Sequence, residues 1–312
     1  MEVLPSKATS GRRFLQPYTL LRCDHCLKSN LDTQLVKRFQ MRRAGLVGWQ
    51  KLAGCLLPAN GGEELGKKAI WTIAHRGASG HAPENTMAAF RRAVELGARF
   101  LETDLQITRD ARVIAIHDFT LDRTTTGKGQ VHLLTLEQIR ALDAGGWFSD
   151  GRAGAFSGER VPTLKEILDF GKENDVIFYL EIKSGPAWGI EHAVVAELRD
   201  QNASARVVIL SFDPGTLDSV RRLDSTVMTG FLCEHPSGDL VERTVRAGAR
   251  QLVARGDLIT PAVVEKAHHA GLQVVAWTIN EADQMRQLIA TGVDGIITDY
   301  PDRLLSVLDA TN

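Results

Sequence analysis

The stretch Leu101-Glu102-Thr103-Asp104-Leu105-Gln106-Ile107-Thr108 runs on through Arg109-Asp110-Ala111-Arg112 into Val113-Ile114-Ala115-Ile116-His117-Asp118, and it decides the fold. Four polar or small residues between two alternating apolar runs read as a β-hairpin. Strand parity puts Glu102 and Asp104 on one face. A turn centred near Asp110 folds His117 back to their level. The hairpin matters because of a count. From Ala69 onward there are nine strand-like runs: Ile70–Ala74, Arg99–Leu105, Val113–His117, Val176–Ile182, Val207–Phe212, Val227–Phe231, Gln251–Ala254, Gln273–Thr278 and Val293–Thr298. If the third is the returning arm of a hairpin, eight remain.

Those eight alternate with amphipathic segments at Met87–Leu96, Thr163–Glu173, Gly189–Gln201, Pro214–Leu223, Ser237–Ala247, Pro261–Ala270 and Glu281–Thr291. Gly97, Gly248, Gly271 and Gly292 follow helices, as left-handed caps before the next strand require. The expectation is an α/β chain folded as a (β/α)8 TIM barrel. A small subdomain of about residues 106–162 is inserted after the second strand, rich in Gly and Thr and carrying Trp147-Phe148. A doubly wound open sheet is the competitor. No Gly-x-Gly-x-x-Gly follows a strand, which weakens its dinucleotide-binding form.

Composition narrows the function. The 312 residues carry a net charge of −1, 44% hydrophobic and 24% charged side chains, ordinary for a soluble globular protein with ample core and no overall bias toward nucleic acid. No apolar run approaches the ~20 residues that cross a bilayer. No charged start, apolar core and small-residue cleavage site occur together, so stable membrane insertion and secretion are not expected. Charge is uneven. Residues 1–68 hold 12 Lys+Arg against 5 Asp+Glu, and residues 69–312 hold 25 against 33.

Residues 1–68 also lack hydrophobic period and end in the linker-like Pro58-Ala-Asn-Gly-Gly-Glu-Glu-Leu-Gly. Cys23-Asp-His25-Cys26 has a metal-knuckle spacing but no second ligand pair. Asp24, Asp32, Glu63 and Glu64 do not suit a mitochondrial presequence. Met41 is an alternative start. The reading is a basic, poorly ordered extension ahead of a 69–312 domain. Three of the four cysteines precede residue 60, so only Cys233 belongs to the large domain, which fits a reducing, cytoplasmic setting.

The chemistry collects at strand ends. His75 and Arg76 follow the first strand within Ala74-His-Arg-Gly-Ala-Ser-Gly-His-Ala-Pro-Glu-Asn-Thr86. Alone this could be a polar turn. Glu102, Asp104 and Glu181 converge from the next barrel strands, and buried carboxylates repel unless neutralised. An oxygen-only cluster points to a divalent metal, Mg²⁺ or Ca²⁺ rather than Zn²⁺. The competing reading is a salt network with Arg and Lys at the barrel end. His75 and His117 can serve as general acid and base on a phosphodiester, with Arg76 and Lys183 supplying positive charge for the phosphate. Trp277 is a further substrate-binding candidate. Glu84 either orients Arg76 or stands behind the metal ligands, and Asn85 is grouped with it. Asn85 is also the expected N-cap of the helix beginning at Thr86 or Met87. His81, His132, His192, His235, His268 and His269 read as surface or satisfied residues.

The residues now in place resemble glycerophosphodiester phosphodiesterases. The resemblance rests on His75-Arg76-Gly77 with Pro83-Glu84-Asn85-Thr86, Glu102-Thr103-Asp104, His117-Asp118, Leu121-Asp122-Arg123-Thr124-Thr125, Val161-Pro162-Thr163-Leu164, Glu181-Ile182-Lys183, Trp277-Thr278-Ile279-Asn280 and Gly295-Ile-Ile-Thr-Asp299-Tyr-Pro301. It spans residues 70–305, and the short insertion is closer to that of the compact cytoplasmic bacterial members than to that of the large periplasmic ones. It implies a TIM barrel and a divalent metal on Glu102, Asp104 and Glu181. It also implies acid–base work by His75 and His117, and phosphate contacts from Arg76 and Lys183. The implied reaction is attack of a glycerol hydroxyl on phosphorus, giving a cyclic phosphate that water opens. The products are glycerol 3-phosphate and an alcohol such as choline or ethanolamine. Two alternatives stay open: a lysophospholipase D-like phosphodiesterase with an aromatic rim from Trp147, Phe148, Trp188 and Phe231, and a non-catalytic phosphodiester-binding protein. The head group, the ion and the oligomeric state are not legible.

Overall fold

A computed structural model describes residues 69–149, 154–183, 185 and 189–310. The Cys23/His25/Cys26 knuckle, the 1–68 extension and Trp188 lie outside the described residues.

Nine strands lie among the described residues: β1 (Trp71–Ala74), β2 (Phe100–Ile107), β3 (Val113–Ala115), β4 (Ile177–Ile182), β5 (Val207–Ser211), β6 (Met228–Cys233), β7 (Gln251–Arg255), β8 (Gln273–Trp277) and β9 (Gly295–Thr298). Their order is β1-β9-β8-β7-β6-β5-β4-β2-β3, and a β1–β2 pairing closes the ring. Every pairing is parallel except β2 with β3. The result is an eight-stranded parallel barrel with β3 as the extra arm, the expected (β/α)8 fold.

The β2–β3 register sets Leu105 against Ala115 and Ile107 against Val113. Thr108 and Asp110 make the turn, with Thr108 Oγ1 donating to Asp110 Oδ1 at 2.7 Å and Ala111 at φ +57°. The Ile116 amide donates to the Asp104 carbonyl at 3.0 Å, so His117 stands between the levels of Glu102 and Asp104.

Helices α1 (Met87–Glu95), α2 (Leu136–Arg140), α3 (Leu164–Glu173), α4 (Ile190–Asp200), α5 (Pro214–Leu223), α6 (Leu240–Arg246), α7 (Pro261–His269), α8 (Ala282–Thr291) and α9 (Pro301–Asp309) follow. Neither the short α2 nor the final α9 is among the expected segments. Thr163 and Glu166 form a capping box at α3, and Thr135 and Gln138 do so at α2. Each box is worth about 1 kcal/mol. Gly97, Gly248, Gly271 and Gly292 all take positive φ, between +65° and +96°.

One cap differs from expectation. Asn85 does not cap α1; Thr86 does, its hydroxyl accepting from the Ala89 amide at 3.3 Å. Asn85 sits at φ +57°, a left-handed turn that Asn tolerates, and this swings the cap position one residue on.

The main core lies between barrel and helices, with Leu101, Leu105, Phe90, Ile167 and Phe178 fully buried in it. The insertion carries a second, smaller core of Ile114, Ile116, Leu121, Val131, Ile139, Ala144 and Val161. Arm β3 joins the two, because period-2 alternation turns Val113 and Ala115 to the main core and Ile114 and Ile116 to the insertion. This double anchoring holds His117 at the barrel mouth.

Candidate active site

Barrel strands present reacting groups at their carboxyl ends. Here that end carries Glu102 and Asp104 of β2, Glu181 of β4, and His75, His117, Lys183 and Asp299 just beyond β1, β3, β4 and β9. A cleft of about 230 Å³ opens on them, and His75, Arg76, Glu102, His117, Glu181 and Lys183 line it. Phe212, Glu234 and Trp277 line it too.

The carboxylates of Glu102, Asp104 and Glu181 are buried, and one oxygen from each falls within 4.8 Å of the others. Each carboxylate is held differently. Glu102 Oε2 accepts from the Arg76 backbone amide at 2.9 Å, a bond that the left-handed Arg76 (φ +53°) makes possible. Asp104 Oδ2 accepts from Asn85 Nδ2 at 2.9 Å and lies 3.1 Å from Arg76 Nε. Asn85 Oδ1 in turn accepts from the Asp104 amide and the Thr103 hydroxyl, which fixes the Asn85 side chain. Lys183 Nζ stands 2.9 Å from Asp104 Oδ1 and 2.7 Å from Glu181 Oε1.

Electrostatics separates the three. Burial, then the charges of Asp104 and Glu181, push Glu102 well above the usual carboxylate range. Burial and Asp104 push Glu181 up to about 7, against the pull of Lys183. Burial would raise Asp104 too, but Arg76, Lys183 and the Asn85 hydrogen bond outweigh it and hold it low. Two cations thus do not neutralise three buried carboxylates. Asp104 Oδ1 and Glu181 Oε1 are buried and share the one ammonium of Lys183, which leaves lone pairs on both. An all-oxygen set with more carboxylates than cations fits a hard divalent cation.

The two imidazoles share a geometry. His75 Nδ1 donates to Asp299 Oδ1 at 2.6 Å, and His117 Nδ1 donates to Asp118 Oδ1 at 2.7 Å. Hydrogen bonding from Arg123 holds Asp118 at about 2 against some burial. Burial would raise Asp299, but hydrogen bonds from His75, Asn280 and Ser79 hold it at about 2. An ionised carboxylate only accepts, so Nδ1 of each ring carries a proton and each ring exchanges protons at Nε2. His75 Nε2 is 4.0 Å from Glu102 Oε2, at the edge of the acidic triad. Burial, Arg76 and Lys183 disfavour the charged form of His117 and set it below the ordinary histidine value, against the pull of Asp104 and Asp118.

The catalytic, metal and substrate candidates read from the sequence gather at one place. His75, Arg76, Glu102, His117, Glu181, Lys183 and Trp277 line one cleft, and Asp104 lies directly beneath. Glu84 pairs with Arg76 at 2.7 Å and Asn85 with Asp104. Asp299, Asp118, Arg123, Asn280 and Phe212 join the site without a role that the sequence alone assigns them. One signal pointed to Asp299. In a closed barrel the first and last strands are neighbours, and Ala74 pairs with Thr298, so residues 75 and 299 must meet. Of the residues considered for an aromatic rim, Phe231 is buried in the core and Trp147 and Phe148 do not line the cleft. The aromatic corner there is Phe212 edge-on to Trp277, 5.8 Å between ring centroids.

Residues 75–303 match the model of the glycerophosphoryl diester phosphodiesterase family. A glycerophosphodiester phosphodiesterase of Caldanaerobacter subterraneus is 39% identical over 238 residues, 76% of this chain and 96% of the relative. A solved Oleispira antarctica phosphodiesterase in complex with the product sn-glycerol-3-phosphate is 28% identical, with a TM-score of 0.69 over 76% of this chain and 96% of that one. A glycerophosphodiester phosphodiesterase from Agrobacterium tumefaciens is 27% identical, with a TM-score of 0.68 over 76% of this chain and all (100%) of the other.

Proposed function

Because the chain belongs to the glycerophosphoryl diester phosphodiesterase family, we propose that it hydrolyses glycerophosphodiesters to glycerol 3-phosphate and an alcohol, with His75 and His117 moving the protons. The observation that carries this reading is the paired geometry of the site. Two imidazoles, each locked through Nδ1 on an ionised carboxylate, flank a buried carboxylate triad with two cations beside it.

Arg76 and Lys183 offset the single negative charge of the phosphodiester and the further charge that develops in the transition state. One imidazole, through its unprotonated Nε2, takes the proton of an attacking glycerol hydroxyl. The other, protonated on both nitrogens, gives a proton to the departing alcohol oxygen. A cyclic glycerol phosphate results. The roles then reverse: the second imidazole takes a proton from water and the first returns one to the ring oxygen as the P–O bond opens. Glu102, Asp104 and Glu181 would hold a divalent cation, Mg²⁺ or Ca²⁺, whose charge polarises the phosphate. Trp277 and Phe212 form the apolar wall against which the substrate lies.

The test is turnover of glycerophosphocholine beside lysophosphatidylcholine, after chelation and then with Mg²⁺ or Ca²⁺ restored. The expected result is release of glycerol 3-phosphate from the first substrate, lost with EDTA and regained with one of the ions. Turnover of the lipid alone overturns the substrate assignment, and full activity in EDTA overturns the metal assignment.

A further inference from the structure

The insertion does more than position β3. Arg123 lies on its surface, with its side chain 43% exposed, yet makes four directed hydrogen bonds. One edge of the guanidinium, Nε and Nη2, grips Asp118 at 2.7 and 3.0 Å. The other, Nη1 and Nη2, grips Glu84 at 2.7 and 2.8 Å. Each gripped carboxylate reaches on into the cleft. Asp118 Oδ1 holds His117 Nδ1, and Glu84 Oε1 holds Arg76 Nη1 at 2.7 Å. The chain of contacts is therefore continuous: His117, Asp118, Arg123, Glu84, Arg76. Leu121, two residues before Arg123, is buried in the insertion's own core, and Thr124, the next residue, is buried too, so the segment carrying Arg123 is anchored on both sides.

We propose that Arg123 is a positioning residue that couples the proton-transfer group to the phosphate-binding group, setting His117 and Arg76 at one mutual distance through Asp118 and Glu84. This rests on the phosphodiesterase reading above. The task needs arginine. A planar fork offers two parallel-bonding edges, whereas a lysine ammonium is a point charge that cannot hold two carboxylates each by both oxygens. Glu84 would keep Arg76 without Arg123, but Asp118 would lose two of its donors and turn toward solvent, and His117 would lose its fixed orientation.

The experiment compares Arg123→Lys and Arg123→Ala with wild type on glycerophosphocholine, with the restoring ion present throughout. The expected loss in kcat is about 10–100-fold for both, the range seen when a partner that orients a reacting side chain is removed, with KM changed less than about threefold. Added guanidinium ion restores part of the rate of Arg123→Ala and none of Arg123→Lys, a response that a general loss of packing would not give. In a double-mutant cycle, Arg123→Lys costs far less when Asp118→Asn is already present. Should Arg123→Ala fail to fold, Arg123→Lys and the cycle decide alone. Wild-type kcat in Arg123→Lys, or fully additive losses in the cycle, overturns the inference while leaving the activity reading intact. A wild-type chain inert toward every glycerophosphodiester overturns both.

Discussion

His75 and His117 are held by the same hydrogen bond and by different parts of the molecule. His75 leans on Asp299, which belongs to the barrel. Asp299 Oδ2 accepts from Asn280 Nδ2 and its Oδ1 from Ser79, while Asn280 Oδ1 accepts from the Asp299 amide and the Thr298 hydroxyl. Every atom of that lock is committed. His117 leans on Asp118, which belongs to the insertion and, among the described residues, is otherwise gripped only by the solvent-facing Arg123. One imidazole is thus fixed by the closure of the barrel and the other through a half-exposed arginine on the insertion. The first lock is shielded from solvent and salt, and the second is open to both.

Removing either ring should give the largest effect. His75→Ala and His117→Ala are each expected to lower kcat by about 10³-fold or more, since each removes one partner of a two-proton exchange. The double variant should be scarcely slower than either single, because the two rings act as a unit. Steady-state kinetics with folded-state checks by circular dichroism reads both. If either single variant keeps near-normal kcat, the two rings are not partners and the comparison collapses.

The next effect separates the two locks. In Asp299→Asn the fixed Asn280 Nδ2 still demands an acceptor, so the new amide oxygen faces Asn280 and its NH₂ faces His75. His75 Nδ1 must then accept, which puts the proton on Nε2 and removes its use as a base. A wrong tautomer of this kind costs up to about 10⁴-fold in kcat in a hydrolase triad, so a loss of about 10²-fold or more is expected here. Asp118→Asn forfeits one Arg123 bond whichever way it turns, and its amide can still offer oxygen to His117. A loss of only about tenfold is expected, in line with removing an orienting partner. Equal losses in the two variants would mean that both histidines are held alike.

The site was legible in the sequence wherever local periodicity carries the information. Alternation alone put Glu102 and Asp104 together, the hairpin turn brought His117 back beside them, and the count of strands closed the barrel. What escaped depends on tertiary approach. Asp299 is 224 residues from the ring it holds, and Arg123 meets Glu84 across 39 residues through the insertion's fold. Neither pairing leaves a periodic trace. The Asn85 cap was misplaced for the opposite reason, since a local rule was overridden by a left-handed backbone that frees the Asn85 amide to bind Asp104. Phe212 escaped because a large apolar residue at a strand end reads as core until its exposure of 40% is seen.

The smallest expected effect concerns stability and asks whether the buried lock is also the stronger one. Asp299 and Asp118 are both depressed from 3.8 to about 2 in the folded chain. A depressed carboxyl contributes stability that is present above its unfolded value and is lost as pH falls through the folded one. For Asp299 that difference corresponds to about 2 kcal/mol at pH 7. Asp118 owes its depression to the exposed Arg123, where solvent and salt screen the pair, so about 1 kcal/mol or less is expected. Urea unfolding should therefore show Asp299→Asn less stable than wild type at pH 7, with the gap closing between about pH 4 and pH 2, and Asp118→Asn nearly level throughout. Added salt should shrink the Asp118 effect and leave that of Asp299. A gap of the same size for both variants, equally sensitive to salt, would show that the insertion holds its histidine as firmly as the barrel holds the other.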